Sequence, residues 1–201
     1  MIRGILLAAG KGTRFGTRKL LHPLPRGESI GATTARRLLR ALPDSLAVIP
    51  PDDEPLKRQL AATGIHVVVN PAPHLGMGSS LACGVAATPE ETTGWVIMLA
   101  DMPFIHGTTI RAVADALDGD RTIAVPVCEG RRGHPVGFGK SYRERLTSLT
   151  GDRGARTLVR RYHGRVRTIQ VDDSGIWRDV DTRSELEHHL SSMEQSTCRN
   201  A

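Results

Sequence analysis

The sequence predicts an α/β fold: a mostly parallel β-sheet flanked by helices on both faces. Three observations lead there. Short apolar runs without polar alternation recur along the chain, the pattern of strands buried on both faces. Stretches with helical spacing lie between most of these runs, which is the order of βαβ units. The chain has 201 residues, 39% hydrophobic and 24% charged, ordinary values for one globular domain with a substantial core.

The first strand is expected at Arg3–Ala9, where Gly-Ile-Leu-Leu-Ala-Ala contains no polar residue after Arg3. Further strands are expected at Leu46–Ile49, Ile65–Val69, Trp95–Leu99, Thr122–Val127 and Val166–Val171. The first helical stretch is Arg36–Leu42, which sets Leu38, Leu39 and Leu42 against Arg36, Arg37 and Arg40. Others are Glu54–Ala62, Ser79–Ala87, Thr108–Leu117, Tyr142–Leu149 and Ala155–Tyr162. A last helix opens at Thr182-x-x-Glu185 before Leu186 and Leu190, the signature of a capping box. Periodicity is lost after Leu190, so residues 1–190 are expected to form a single domain and 191–201 a disordered tail. In open sheets of this kind ligands sit beyond the carboxyl ends of the strands.

Composition narrows the function. No apolar run approaches the ~20 residues needed to span a bilayer. The apolar start at Gly4–Ala9 is too short for a secretory signal and runs into a glycine loop, so a cytoplasmic protein without membrane partners is expected. Net charge is +6 with four lysines among 27 basic residues, but the arginines are scattered and aromatics make up only 3%. Interleaving of aromatic and basic residues is missing, and no nucleic-acid partner is expected. Cys83, Cys128 and Cys198 form neither a C-x-x-C pair nor a disulfide framework.

The first strand empties into Ala8-Ala9-Gly10-Lys11-Gly12-Thr13-Arg14-Phe15-Gly16, followed by Lys19. Closely spaced glycines let a backbone curl and present N–H groups to an anion, and Arg14 and Lys19 add positive charge. The spacing is G-x-G-x-x-x-G, one residue off the dinucleotide fingerprint, and no P-loop is present. The pattern points to phosphate binding. Asp101 ends the apolar run Trp95–Ala100 and stands on the ligand edge of the sheet, where a carboxylate can hold a hard cation such as Mg²⁺. Asp181, with alternate spacing from Asp179, is a second metal candidate. Capping accounts for Thr182 and Glu185 but leaves Asp181 open between a metal ligand and a structural residue.

Together these segments resemble the molybdopterin nucleotidyltransferase family, most closely its cytidylyltransferase branch. The resemblance spans residues 3–190 and rests on five segments. They are Leu7-Ala-Ala-Gly-Lys-Gly-Thr-Arg-Phe-Gly with Lys19-Leu-Leu, Asn70-Pro with Gly76-Met-Gly-Ser-Ser-Leu, Leu99-Ala-Asp-Met-Pro, Gly133-His-Pro-Val-Gly-Phe, and Asp179-Val-Asp-Thr. The first and third segments are common to many nucleotidyltransferases, whereas the second and fourth are more particular to the cytidylyl branch.

The resemblance implies a Rossmann-like fold of the nucleotide-diphospho-sugar transferase type. It implies that Ala8, Ala9, Gly10, Gly12, Thr13, Arg14 and Lys19 grip the triphosphate of CTP, with Asn70, Ser79 and Ser80 near the nucleotide. Catalysis would rest on Arg14, Lys19 and Asp101, and Mg²⁺ on Asp101 and Asp181. Gly133, His134 and Pro135 would face a molybdopterin-type acceptor whose phosphate attacks the α-phosphorus, and a molybdoenzyme or accessory protein would receive the product. A guanylyltransferase, a transferase with another phosphorylated acceptor, and a non-catalytic molybdopterin-binding protein stay open as alternatives.

Overall fold

The computed structural model describes residues 1–10, 15, 18–25, 27–152 and 154–199, with side chains described up to 191. The eight described strands are β1 (Ile2–Leu7), β2 (Leu46–Ile49), β3 (His66–Val69), β4 (Gly94–Leu99), β5 (Ile123–Cys128), β6 (Arg131–Arg132), β7 (Val136–Gly139) and β8 (Val166–Gln170). They form one sheet in the order β3-β2-β1-β4-β7-β5, with β6 and β8 both paired to β5. The pairs β3–β2, β2–β1, β1–β4 and β5–β8 are parallel; β7 is antiparallel to both β4 and β5.

The sheet is the expected mostly parallel one with an antiparallel insertion. Sequence reading misses β6 and β7, because Val136-Gly137-Phe138-Gly139 offers two apolar side chains and two glycines instead of an apolar run. Glycine is required there by contact: a Cβ on Gly137 would press on Val113 and Ala124. The β5–β7 hairpin also shifts register. Ile123 pairs Phe138 and Ala124 pairs Gly137, yet Val127 pairs Arg132. The extra residues are taken up at Gly133, His134 and Pro135, with a cis bond before Pro135.

Helices α1 (Ile30–Ala41), α2 (Glu54–Ala61) and α4 (Gly107–Asp115) pack on one face of the sheet. The opposite face takes α3 (Met77–Ala86), α5 (Arg143–Thr147) and α6 (Arg156–Arg161). Alternation along β1 sends Leu6 into the first core and Ile5 and Leu7 into the second. Helix α1 starts six residues before the predicted stretch. Ser29 caps it by accepting from the Ala32 N–H, and its buried stripe runs through the small residues Gly31, Ala32 and Ala35, which carry little periodic signal.

The last helix, α7 (Arg183–Arg199), opens on the predicted capping box: Thr182 Oγ1 accepts from the Glu185 N–H, and the Glu185 carboxylate accepts from the N–H groups of Thr182 and Asp181. It runs on past Leu190, where the loss of apolar period led to the expectation of a tail. Glu, Gln, Met and Arg are adequate helix formers, so a helix can run on without an apolar period.

Neither Thr108 nor Thr109 caps α4 with its side chain. The N-cap is His106, and the buried Asp173 accepts from the His106 N–H at 2.8 Å and from Thr109 Oγ1 at 2.6 Å. Asp173 also accepts from the Gly175 N–H, so one carboxylate ties the chain before α7 to the foot of α4.

Candidate functional site

The carboxyl ends of β1 and β4 lie side by side, and the Ala100 N–H donates to the Leu7 carbonyl just beyond them. Asp101 follows at once. The segment carrying Asp181 is brought to the same edge by the Val180 N–H, which donates to the Asp101 carbonyl at 3.0 Å. Capping of α7 holds the Asp181 N–H from the other side.

Between the two carboxylates sits Lys19, on the 3-10 turn Lys19–Leu21. Its Nζ donates to Asp101 Oδ2 at 2.7 Å and to Asp181 Oδ1 at 3.0 Å. The lysine side chain is only 9% exposed and each carboxylate 22%. Burial alone lowers a lysine pKa. Here the charge of Asp101 and the hydrogen bonds to both carboxylates outweigh it, and Lys19 is held above its ordinary value. Two carboxylates and one ammonium leave the cluster one negative charge in excess.

Asp101 Oδ1 is buried and has no hydrogen-bond partner. An orphaned carboxylate oxygen beside a second carboxylate suits a hard divalent cation. Among the described residues no group of three or more His, Cys, Asp or Glu side chains could hold a metal by itself. The donor set therefore fits Mg²⁺, which keeps several water or phosphate ligands, better than a cation caged wholly by protein.

Two adjoining cavities open along this edge. The first, about 420 Å³, is lined by Ala8, Ala9, Gly10, Lys19, Asp101, His74, Gly76, Met77 and Ser80, among others. The second, about 740 Å³, is lined by Gly133, His134 and an apolar floor that includes Leu81, Ile97 and Val125. Leu7, Met77, Leu99 and Asp152 border both cavities.

The predicted residues separate into three groups. Ala8, Ala9, Gly10, Lys19, Ser80 and Asp101 come together at the first cavity, and Gly133 and His134 at the second. Gly12, Thr13 and Arg14 lie outside the described residues. Asn70, Ser79, Pro135 and Asp181 line neither cavity, and Asp181 is joined to the first through Lys19. Asn70 is 2% exposed and its amide donates to Ser79 Oγ and Ser80 Oγ, both at 3.0 Å, while its oxygen accepts from the Ala72 N–H. Ser79 Oγ donates toward the carbonyls of Ala72 and Gly76. Asn70 and Ser79 spend their hydrogen bonds on the loop between β3 and α3 and thereby shape the cavity wall.

That wall needs Gly76, whose φ of +90° favours glycine and whose missing Cβ lets residues 151–152 pack against it. The Gly78 N–H donates to the Gly151 carbonyl at 2.8 Å, which docks the loop before α6 onto the start of α3. At the second cavity, the His134 N–H donates to the Ile176 carbonyl at 2.7 Å. A Cβ on Gly133 would collide with that same carbonyl. Burial lowers the His134 pKa against the pull of Asp101, Asp179 and a hydrogen bond to the Ile97 carbonyl, so the ring is neutral near pH 7.

Sequence reading overlooked Asp152, which stands between the cavities, and three arginines at the second: Arg132, Arg156 and Arg160. In the sequence these arginines are part of a scattered basic charge, since nothing in their spacing shows that β6 and α6 meet across a cavity.

The family model described as MobA-like NTP transferase domain matches residues 4–166. Purine catabolism protein PucB of Bacillus subtilis (strain 168) is 30% identical over 196 residues, covering 92% of this chain and 93% of that protein. Among solved structures, Rv0371C of Mycobacterium tuberculosis H37Rv in complex with manganese is 28% identical, with a TM-score of 0.78 over 95% of this chain and 98% of the other. A nucleotidyl transferase from Methanothermobacter, Mth528, superposes with a TM-score of 0.83 over 98% of this chain and 99% of the other at 20% identity, a likeness of fold.

Proposed function

The chain belongs to the MobA-like NTP transferase domain family and is a nucleotidyltransferase, and we propose that it joins CMP from CTP to the terminal phosphate of molybdenum-loaded molybdopterin. In the step proposed, an oxygen of the acceptor phosphate attacks the α-phosphorus, the bond from the α-phosphorus to the bridging β-oxygen breaks, and pyrophosphate leaves. Such a reaction asks the protein for position and charge neutralisation and for no covalent nucleophile.

The observation that carries the reading is the Lys19–Asp101–Asp181 cluster, with the orphaned Asp101 Oδ1, at the edge of the first cavity. Asp101 and Asp181 would hold Mg²⁺, whose charge offsets that of the phosphates. The manganese complex of Rv0371C, named above, supports a divalent ion in a related chain. Lys19 lines the cavity and supplies one cation to the phosphates, with Arg14 as the second cation in this reading. Ser80 and the segment Gly76–Leu81 supply the nucleoside wall, and the choice of cytosine rests on the resemblance of that segment. The second cavity takes the acceptor, so the attacking phosphate enters past Leu7, Leu99 and Asp152, where the cavities meet. A cytoplasmic site of action belongs to the same reading.

The test is pyrophosphate release by the purified protein with Mg²⁺, each of the four NTPs, and molybdopterin with and without molybdenum. Release with CTP and the loaded pterin alone is expected. Release with GTP instead overturns the base and keeps the reaction. Silence with every NTP while CTP still binds overturns the acceptor.

A further inference from the structure

The second cavity has a chemical character that its position alone does not require. Its floor is apolar, formed by Leu81, Ile97 and Val125, whereas its rim carries Arg132 from β6 and Arg156 and Arg160 from α6. Arg156 and Arg160 are four residues apart on one helix and so share a face. Arg37 and Arg143 elsewhere in the chain donate to carbonyls, and Arg167 pairs with Asp118. Among the described residues none of the three rim guanidiniums has such a hydrogen-bond or ion-pair partner. Among the described residues Asp152 is the one carboxylate lining the same cavity, which leaves an excess of positive charge around an apolar floor.

His134 adds a directional element. It lines this cavity, and its Nδ1 is buried without a hydrogen-bond partner. A buried ring nitrogen left without a hydrogen-bond partner costs about 1–3 kcal/mol, so a ligand group that pairs with it is favoured by a comparable amount.

We propose that Arg132, Arg156 and Arg160 select the acceptor, holding the anionic group of a flat heterocycle whose ring lies on the apolar floor and hydrogen-bonds with His134 Nδ1. This rests on the transferase reading for the word acceptor, but the binding chemistry does not depend on which base is transferred. Arginine suits the task because its planar fork grips a phosphate through paired N–H groups and needs little hydration when it does so. The division of labour follows: the nucleotide answers to Lys19 and the two carboxylates, the acceptor to the arginines.

The experiment uses a pair of probes that differ by one phosphate group at their tail, flavin mononucleotide and riboflavin, titrated by fluorescence into the full-length protein without NTP. Both have a flat ring with an N–H; the first carries a phosphate. The wild type is expected to bind the phosphorylated flavin at least tenfold more tightly, the worth of about one charge-assisted hydrogen bond. In Arg156→Gln/Arg160→Gln that preference should fall to within about twofold, and in Arg132→Gln it should shrink. CTP binding, followed in the same samples with Mg²⁺, should stay within about twofold of wild type and so shows that the variants fold.

Equal affinity for the two flavins, retention of neither, or a preference that survives the double substitution each overturns the proposal. So does displacement of the phosphorylated flavin by CTP alone without Mg²⁺, since that places the probe in the first cavity. Absence of pyrophosphate release with every NTP would sink the transferase reading and leave the flavin result standing or falling by itself.

Discussion

Replacing Lys19 by methionine removes the one cation that the described structure places between two carboxylates, and its consequences can be worked out from the distances. Nζ is 2.7 Å from Asp101 Oδ2 and 3.0 Å from Asp181 Oδ1, so the two oxygens are within about 6 Å of each other. With an effective dielectric of about 20, two like charges at that separation repel by about 3 kcal/mol. Loss of one partner of a buried pair costs about 3–5 kcal/mol in general, and the 22% exposure of the carboxylates places the expected loss near the lower end. For a chain of this length that corresponds to a fall in Tm of about 6–12 °C. Divalent cations should then stabilise the variant more than the wild type. In the wild type Lys19 competes for the same oxygens, whereas in Lys19→Met the carboxylates are left to the metal. The assay is thermal unfolding with and without 5 mM Mn²⁺, set against the same pair of scans with Lys19→Arg, which keeps the charge. An unchanged Tm in Lys19→Met, or equal stabilisation of all three proteins by Mn²⁺, refutes the reasoning.

Other substitutions test the frame around this cluster. Asn70→Ala strips partners from Ser79, Ser80 and the Ala72 N–H at a buried site, and should cost about 2–4 kcal/mol in urea unfolding. Gly133→Ala drives a methyl group into the Ile176 carbonyl and should cost about 1–3 kcal/mol, with the phosphorylated flavin's affinity falling as His134 is displaced. His134 has a folded pKa below its ordinary value of 6.5, mainly through burial, so the unfolded chain takes up its proton first as pH falls. The stability tied to the neutral ring is therefore complete above pH 6.5 and is lost below it. Wild type should lose more stability than His134→Gln between pH 7.5 and 5, by chemical denaturation at each pH; parallel losses would contradict this.

How much of this was legible beforehand follows from what each element offers as signal. The strands β1, β2, β4 and β5 are buried apolar runs, and their period announces them without any knowledge of their neighbours. The capping box at Thr182 and Glu185 is equally local, because both partners lie within one turn. By contrast β7 works through glycines that permit close packing against Ala124 and Val113, and closeness to a distant residue has no local signature. The start of α1 was missed for a related reason: Gly31 is buried because its missing Cβ leaves room for Leu20, a tertiary reason in a residue that by propensity disfavours helix.

The site shows the same division, with an added twist at Lys19 and Asn70. Asp101 could be placed on the ligand edge because a strand end has a known direction, and the sheet then did the rest. Lys19 could be assigned to phosphate from its loop, but its pairing with carboxylates 82 and 162 residues away could not be read from the loop. Asn70 and Ser79 were expected beside the nucleotide, and the structure shows their polar atoms spent within the loop that faces it. A residue can thus stand near a ligand and matter to its binding by holding the wall in place. The arginines of the second cavity reverse the case. Arg132, Arg156 and Arg160 looked like ordinary surface charge in a basic chain, and only the meeting of β6 with α6 around an apolar floor turns them into a set. Net charge counts them, whereas topology decides which of them face a ligand, and that is why the acceptor side of the molecule was the least readable part of the sequence.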